Sequence, residues 1–379
     1  MLRIIVIFAS AQTAATRVAG LPAIARAAHS AMTMAQTSSD GATIVLALPE
    51  GQLPNSDCHT EIARLLPGMA PRVMCTDALD MGPRDCVIAG ECLQLQPRPS
   101  GSSAWSLDDV MRFHCATNDA ELVAMMRHAD RGILRNTVKP TDGLVSRHIN
   151  RPVSTRITGA LLRHTDMRPG HATAFTGLTA VIMLSVMVSG GAGGLIAGAV
   201  LFQTASLIDG VDGEMARATF RTSARGASCD ALIDGATNGA FLLGLGLNLA
   251  RHGSAHALVL GMASFACLGT GLTVLGVQAL IQGSSVNFDA LKHHVRRRNT
   301  PLANWLIWLT MRDFLALASA AFILSGLAWF ALYALTIGAC LWMIAVIALA
   351  ASSGWGHMRC KPRQCGPPID RYISILRPE

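Results

Sequence analysis

From Ala172 to Ile208 the chain carries no Asp, Glu, Lys or Arg. A helix needs about 20 mostly apolar residues to cross a bilayer core, and this run has room for two. Its centre, Ser189-Gly190-Gly191-Ala192-Gly193-Gly194, supplies the small residues of a tight turn between them. The wider composition agrees. Of 379 residues, 51% are hydrophobic and only 15% charged, against about 25% charge in an ordinary soluble domain, and the mean hydropathy is +0.39. Charged residues occur at normal intervals through residues 1–171. The chain therefore divides into a soluble part and a membrane part, in keeping with the roughly two domains its length suggests.

Further apolar stretches extend the membrane part. One runs from about Gly226 to Ala250 with acids only at its start, and another covers about Ala255–Gln282. Phe314–Met358 has no charged residue and is long enough for two more, with Trp329 and Tyr333 placed as interfacial aromatics near the turn. Six spans are expected. Lys and Arg sort to alternate connections: Arg151, Arg156, Arg163 and Arg168 before the first span, Arg217, Arg221 and Arg225 after the second, Lys292 to Arg298 and Arg312 after the fourth, and Arg359 onward after the sixth. The other connections hold only Arg251. By the positive-inside rule, this predicts a multi-pass protein of a bacterial-type inner (plasma) membrane with both termini cytoplasmic. The formal charge of +7 is then a topology signal, and no nucleic acid partner is needed to explain it.

The first residues, Met1 to Ala14, imitate a signal peptide, but the apolar core Ile4–Ala9 is shorter than the roughly 7–15 residues of an h-region. A buried first strand is expected instead. Ten cysteines are scattered without a C-x-x-C pair, which points to reduced or buried thiols and gives no sign of a zinc or redox site.

The chemistry is concentrated in one connection: Asp209-Gly-Val-Asp212-Gly213-Glu-Met-Ala216-Arg217, then Gly226-x-x-x-Asp230-x-x-x-Asp234. At about 100° per residue, Asp209, Asp212, Gly213, Ala216 and Arg217 fall in one arc, and Glu214 and Met215 point elsewhere. Asp230 and Asp234 are i,i+4 neighbours, with Gly226 one turn earlier on their face. Carboxylates in membrane segments are costly and usually mark function. An all-oxygen set favours a hard cation, Mg²⁺ or Mn²⁺, over zinc, and two such ions can bridge a diphosphate. Arg217 offers a planar fork for phosphate oxygens. Gly213 and Ala216 leave space for a flat base. The alternative is that these acids are solvated or pair with Arg217, Arg221 and Arg225.

The stretch resembles the signature of the CDP-alcohol phosphatidyltransferase family, D-x2-D-G-x2-A-R-x8-G-x3-D-x3-D, and every specified position matches. The resemblance, over about residues 135–358, implies six helices, a homodimer, two Mg²⁺ or Mn²⁺ ions, and a pocket open to cytosol and lipid. By position it implies Asp209, Asp212 and Asp230 as metal ligands. Asp234 would be a metal neighbour and, with Asp230, a catalytic residue, taking the acceptor proton. Gly213, Ala216, Arg217, Ser223 and Gly226 would line the CDP site. Pro169 and Thr173 match the family's Pro-Asn-x-x-Thr element, with Gly170 in place of its Asn. The partners implied are a CDP-alcohol donor, lipid-linked or inositol-type, and a hydroxyl acceptor that can be phosphorylated, among membrane lipids.

Lys139-Pro140 to Arg151-Pro152 is similar to the joining segment of bifunctional inositol-phosphate cytidylyltransferase/phosphotransferase proteins, and suits a surface helix along the headgroups or a solvated linker. Lys139, Arg296 and Arg312 are candidate acceptor-binding cations. The basic loop from His293 to Arg298 can equally anchor lipid headgroups. Residues 1–134 alternate apolar runs (Ile4–Ala9, Thr43–Leu48, Cys86–Leu95) with helical stretches (Leu21–Met34, Asp119–His128), an α/β pattern. Val18 to Pro22 resembles part of a sugar-nucleotidyltransferase domain, but Ala9 to Arg17 lacks the glycines that let backbone amides approach phosphate. The expected organisation is a degenerate, non-catalytic α/β nucleotidyltransferase-like domain (1–134), a juxtamembrane amphipathic segment (135–171), an all-α six-helix transmembrane bundle (172–358) and a cytoplasmic tail (359–379). Two alternatives stay open: an enzyme that also makes its own CDP-alcohol from CTP, and an inactive membrane scaffold or transporter.

Overall fold

The computed structural model describes residues 2–37, 42–82, 85–92, 106–139, 142–282 and 311–352. The N-terminal part runs β1 (Leu2–Ile7), α1 (Ala11–Ala15), β2 (Arg17–Val18), β3 (Leu21–Pro22), α2 (Ala23–Thr37), β4 (Ala42–Leu48), α3 (Ser56–Leu65), β5 (Arg72–Cys75), β6 (Asp85–Ala89), α4 (Leu107–Ala116) and α5 (Asp119–Asn136). Strands β5, β4, β1 and β6 form one parallel sheet in that order. Central β1 is buried on both faces. Ile4 and Val6 pack toward Ile24 and Ala28 of α2, while Ile5 and Ile7 join Val45, Val87 and Val110. Burial on two faces is why the strand reads as an unbroken apolar run.

The three apolar runs each hold a strand. In the third the strand ends at Ala89, and Gly90 follows against Phe8, where a Cβ would come within 2.3 Å of the ring. Leu21 lies in β3, and α2 begins only at Ala23. Strand β5 is four residues, Arg-Val-Met-Cys, without the alternation that would announce it in the sequence.

The helical part follows: α6 (Arg151–His164) after a wide turn at Ser146–Asn150, then α7 (Pro169–Ser189), α8 (Gly191–Ala218), α9 (Ala224–Arg251), α10 (Ala255–Gln282), α11 (Arg312–Leu324) and α12 (Ala328–Ser352). The break between α7 and α8 falls inside the predicted glycine turn, at Gly190, with Gly191 at φ +55°. Of the six expected spans, four helices among the described residues are long and apolar enough to cross a membrane: α7, α8, α10 and α12. Helix α9 carries Asp230, Asp234, Asn238 and Asn248 along its length and is not among them. The 13 residues of α11 span about 20 Å at 1.5 Å each, short of a ~30 Å core. The segment 283–310 and the tail beyond 352 lie outside the described residues.

The chain forms two compact units, Met1–Thr179 with Gln203–Ser223, and Ala180–Phe202 with Ala224–Glu379. In the first, the α/β layer closes the C-terminal end of α8. Arg26, a buried residue, donates to the carbonyls of Val18 (3.0 Å), Ala19 (3.2 Å) and Ala218 (2.7 Å). Burial pulls its pKa down to about 10, so it stays charged at neutral pH. Arg64 donates to the carbonyls of Thr219 and Phe220, and Arg221 pairs with Glu61. Phe220 ends the helix at φ +52°, a left-handed conformation uncommon for a bulky residue. Its ring lies 4.2 Å from His29 and 5.3 Å from the Arg26 guanidinium.

In the second unit α10 packs between α9 and α12. Gly246 and Gly261 let α9 and α10 touch backbone to backbone; a Cβ on Gly246 would lie 2.8 Å from the Gly261 Cα. Asn248 donates to the carbonyl of Met187 (2.7 Å), in the last turn of α7 where acceptors are left open, and to that of Gly191 (2.8 Å), where α8 begins. Phe202 stacks on Phe241 at 4.1 Å.

Candidate functional site

Each half of the predicted site lies in its own unit. In the first unit, Asp209 and Asp212 sit on successive turns of α8, and each offers a carboxylate oxygen within 4.8 Å of the other. Asp212 is 5% exposed and accepts a 2.6 Å hydrogen bond from the Thr173 hydroxyl. Thr173 is itself buried near the start of α7, whose first residue is Pro169; its hydroxyl also lies 3.3 Å from the Pro169 carbonyl. The predicted Pro169–Thr173 element thus supports one of the predicted ligands directly. At Gly170 an added Cβ would meet nothing within 4 Å among the described residues.

Arg217 folds back over Gly213, where a Cβ would lie 2.9 Å from its Nη1. Its Nε donates to the Thr137 carbonyl at 2.6 Å. Its Nη2 is buried and has no hydrogen-bond partner among the described residues. A buried guanidinium N–H without an acceptor is costly, and it marks a place where an anion could be received. Ala216 is half-buried, Ser223 exposed, and Lys139 exposed.

In the second unit Asp230 and Asp234 lie four residues apart on α9, both half-buried, and Gly226 is exposed in the helix's first turn. Arg312, the first residue of α11, forms an ion pair with Asp234 through Nη1 and the carboxylate Oδ1. The candidate general base and the candidate acceptor cation are therefore neighbours. Arg296 lies outside the described residues.

One participant was missed by sequence reasoning. Glu214, between Gly213 and Met215, is fully buried. It accepts from Arg151 Nη1 (2.9 Å), Ser154 Oγ (2.6 Å) and Thr158 Oγ1 (2.7 Å). Arg151 also binds Asp142 (2.7 Å) and the Gly210 carbonyl (3.2 Å). Arg151 and Asp142 thus turn inward to clamp α8 from α6. The signal was available in the residue types, since a glutamate pointing away from the acidic arc on an apolar helix requires a partner.

The N-terminal loop is filled by its own protein. The Ala9 amide and the Thr13 hydroxyl both donate to Glu91 Oε1 at 2.8 Å. Glu91 is buried and meets His114 Nε2 at 3.0 Å. Arg17 pairs with Asp57 and Asp166.

No family model matches the chain. Four curated proteins do, each called bifunctional IPC transferase and DIPP synthase. That of Thermococcus kodakarensis is 38% identical over 126 residues, 33% of this chain and 28% of its own length. That of Aquifex aeolicus is 35% identical over 35% of this chain and 29% of its own length. That of Archaeoglobus fulgidus is 35% identical over 31% and 23%. The chain spans less than a third of the length of the curated relatives it matches. Over that third, the likeness fits a CDP-alcohol phosphotransferase-like relationship.

Proposed function

We propose that the protein is a membrane CDP-alcohol phosphotransferase. It moves a phosphoalcohol, of phosphatidyl or inositol-phosphate type, from a CDP-alcohol to an acceptor hydroxyl and releases CMP. The observation that carries this reading is the Asp209–Asp212 pair on α8, backed by Thr173 and followed one turn later by the unpartnered Nη2 of Arg217. Paired carboxylate oxygens fit Mg²⁺ or Mn²⁺, and the arginine fits a phosphate. In this proposal Asp209, Asp212, Asp230 and Asp234 hold two such ions. When bound, the ions would stabilise charge on the diphosphate and on departing CMP.

The residues divide the remaining work. Arg217 orients the diphosphate over Gly213 and Ala216, with Ser223 and Gly226 beside the nucleotide. The acceptor oxygen attacks the β-phosphorus, and the bond from that phosphorus to the CMP oxygen breaks. The hydroxyl proton passes to Asp234. Arg312, paired with Asp234, receives a phosphate carried by the acceptor, and Lys139 and Arg296 extend the cationic surface. Thr173 keeps Asp212 aimed. We further propose phospholipid biosynthesis as the setting, an inner-membrane homodimer with cytoplasmic termini, and a non-catalytic N-terminal domain. That last point draws support from Glu91, which takes the Ala9 amide a phosphate would use.

The test is an assay of membrane fractions with Mg²⁺ or Mn²⁺, a panel of CDP-alcohols and polyol phosphates, and product identification by mass. Asp230→Asn and Asp234→Asn should abolish CMP release while the protein still inserts; wild-type turnover by either would refute the assignment. Pyrophosphate release from CTP by the full chain would instead favour a bifunctional enzyme.

A further inference from the structure

A cavity of about 730 Å³ opens between α5 and α6, within the first unit, and contains none of the four aspartates. Its walls carry Arg131, Arg135, Arg147, Arg151, Arg156 and Arg163, against one acid, Asp130. That acid is already engaged, accepting from the Ala19 amide at 2.6 Å and from Arg163 at 3.0 Å. Arg151 is committed to Asp142 and Glu214. Arg131, Arg135 and Arg156 are exposed and pair with no acid among the described residues. Leu134, Val138 and Ala160 give the same cavity an apolar lining. Helix α6 approaches α5 closely at Gly159, where a Cβ would lie 2.9 Å from Leu134 Cδ1.

The outer face of the same segment is apolar and uncovered. Ile149, Val153 and Ile157 follow at four-residue intervals and are 45%, 41% and 37% exposed. At 100° per residue this stripe adjoins the face that lines the cavity. Helix α6 ends at His164, and α7, long and apolar enough to cross a membrane, begins at Pro169. A connection that short holds α6 at the membrane boundary. An apolar stripe beside clustered arginines is the pattern of a helix lying in the interface. The cavity has the size of a ligand pocket, about 300–1,000 Å³, and a charge surplus suited to phosphate.

We infer that the α5–α6 cavity binds the headgroup of an anionic phospholipid, its phosphate among Arg131, Arg135 and Arg156 and its chains over Ile149, Val153 and Ile157. The site is independent of the transferase reading, because none of these side chains belongs to the proposed reaction centre.

Full-length protein in phosphatidylcholine nanodiscs doped with phosphatidylglycerol provides the test, with retained lipid counted by native mass spectrometry. The wild type should retain phosphatidylglycerol over phosphatidylcholine. Arg135→Gln/Arg156→Gln should lower that retention about tenfold, the loss of two partly exposed charge-assisted contacts. Arg135→Lys/Arg156→Lys should hold it within about threefold and melt with the wild type. Inorganic phosphate at millimolar concentration should not displace the lipid. Undiminished retention in the glutamine variant, equal retention of both lipids by the wild type, or displacement by inorganic phosphate would each overturn the inference, the last by making the cavity a site for a soluble anion.

Discussion

Glu214 offers a direct check on how α8 is held. Its carboxylate is fully buried and takes three hydrogen bonds, from Arg151, Ser154 and Thr158. Removing one member of a buried ion pair costs about 3–5 kcal/mol, because the partner is left uncompensated. Here Asp142 still faces Arg151 at 2.7 Å, so Glu214→Ala should fall near the lower end, about 3 kcal/mol. The two hydroxyls lose the same acceptor, and their loss belongs to that figure rather than adding to it. Glu214→Gln keeps one oxygen and the shape but not the charge, and should cost about half as much. At roughly 2–4 °C per kcal/mol for a domain of 150–250 residues, the alanine variant should melt about 6–12 °C lower in detergent. The loss should be shared: Thr158→Val should cost about 1–2 kcal/mol in the wild type and much less in Glu214→Ala. A melting temperature within about 2 °C of wild type, or fully additive losses in the double variant, would refute the clamp.

Further expectations rest on single contacts. Thr173→Val removes the hydroxyl that supports Asp212 and should raise the Mg²⁺ concentration for half-maximal turnover about tenfold, read from a metal titration; an unchanged titration would separate Thr173 from the site. Burial holds the His29 imidazole below its ordinary value of 6.5. As pH falls through 6.5 the unfolded chain binds the proton before the folded protein does, so stability is full above that value and declines below it. Thermal melts of wild type and His29→Phe from about pH 8 to 5 should diverge on the acid side, and parallel curves would contradict the assignment. Burial pushes the Cys58 thiol up to about 11, so maleimide at neutral pH should label exposed Cys115 and Cys229 well before Cys58, as peptide mapping would show.

Local pattern carried much of this protein. The charge-free run announced two helices and the glycine turn between them, since a stretch without charge at that length has few other uses. The continuous apolar run Ile4–Ile7 announced a strand buried on both faces. The spacing of Asp209, Asp212 and Arg217 is enough to place them along one side of a helix. Periodicity could not say what stands opposite a side chain. It could not show that Thr173 reaches Asp212 across 39 residues of sequence, or that Arg312 meets Asp234. Nor could it show that Arg26 caps α8 from 192 residues away. Glu214 makes the distinction plain: helical geometry turned it away from the acidic arc, and only the packing of α6 on α8 supplied the arginine and two hydroxyls that make a buried charge tolerable. Secondary structure follows from neighbours a few residues apart, whereas the pairing of a buried polar group is decided by whichever distant segment the fold brings against it.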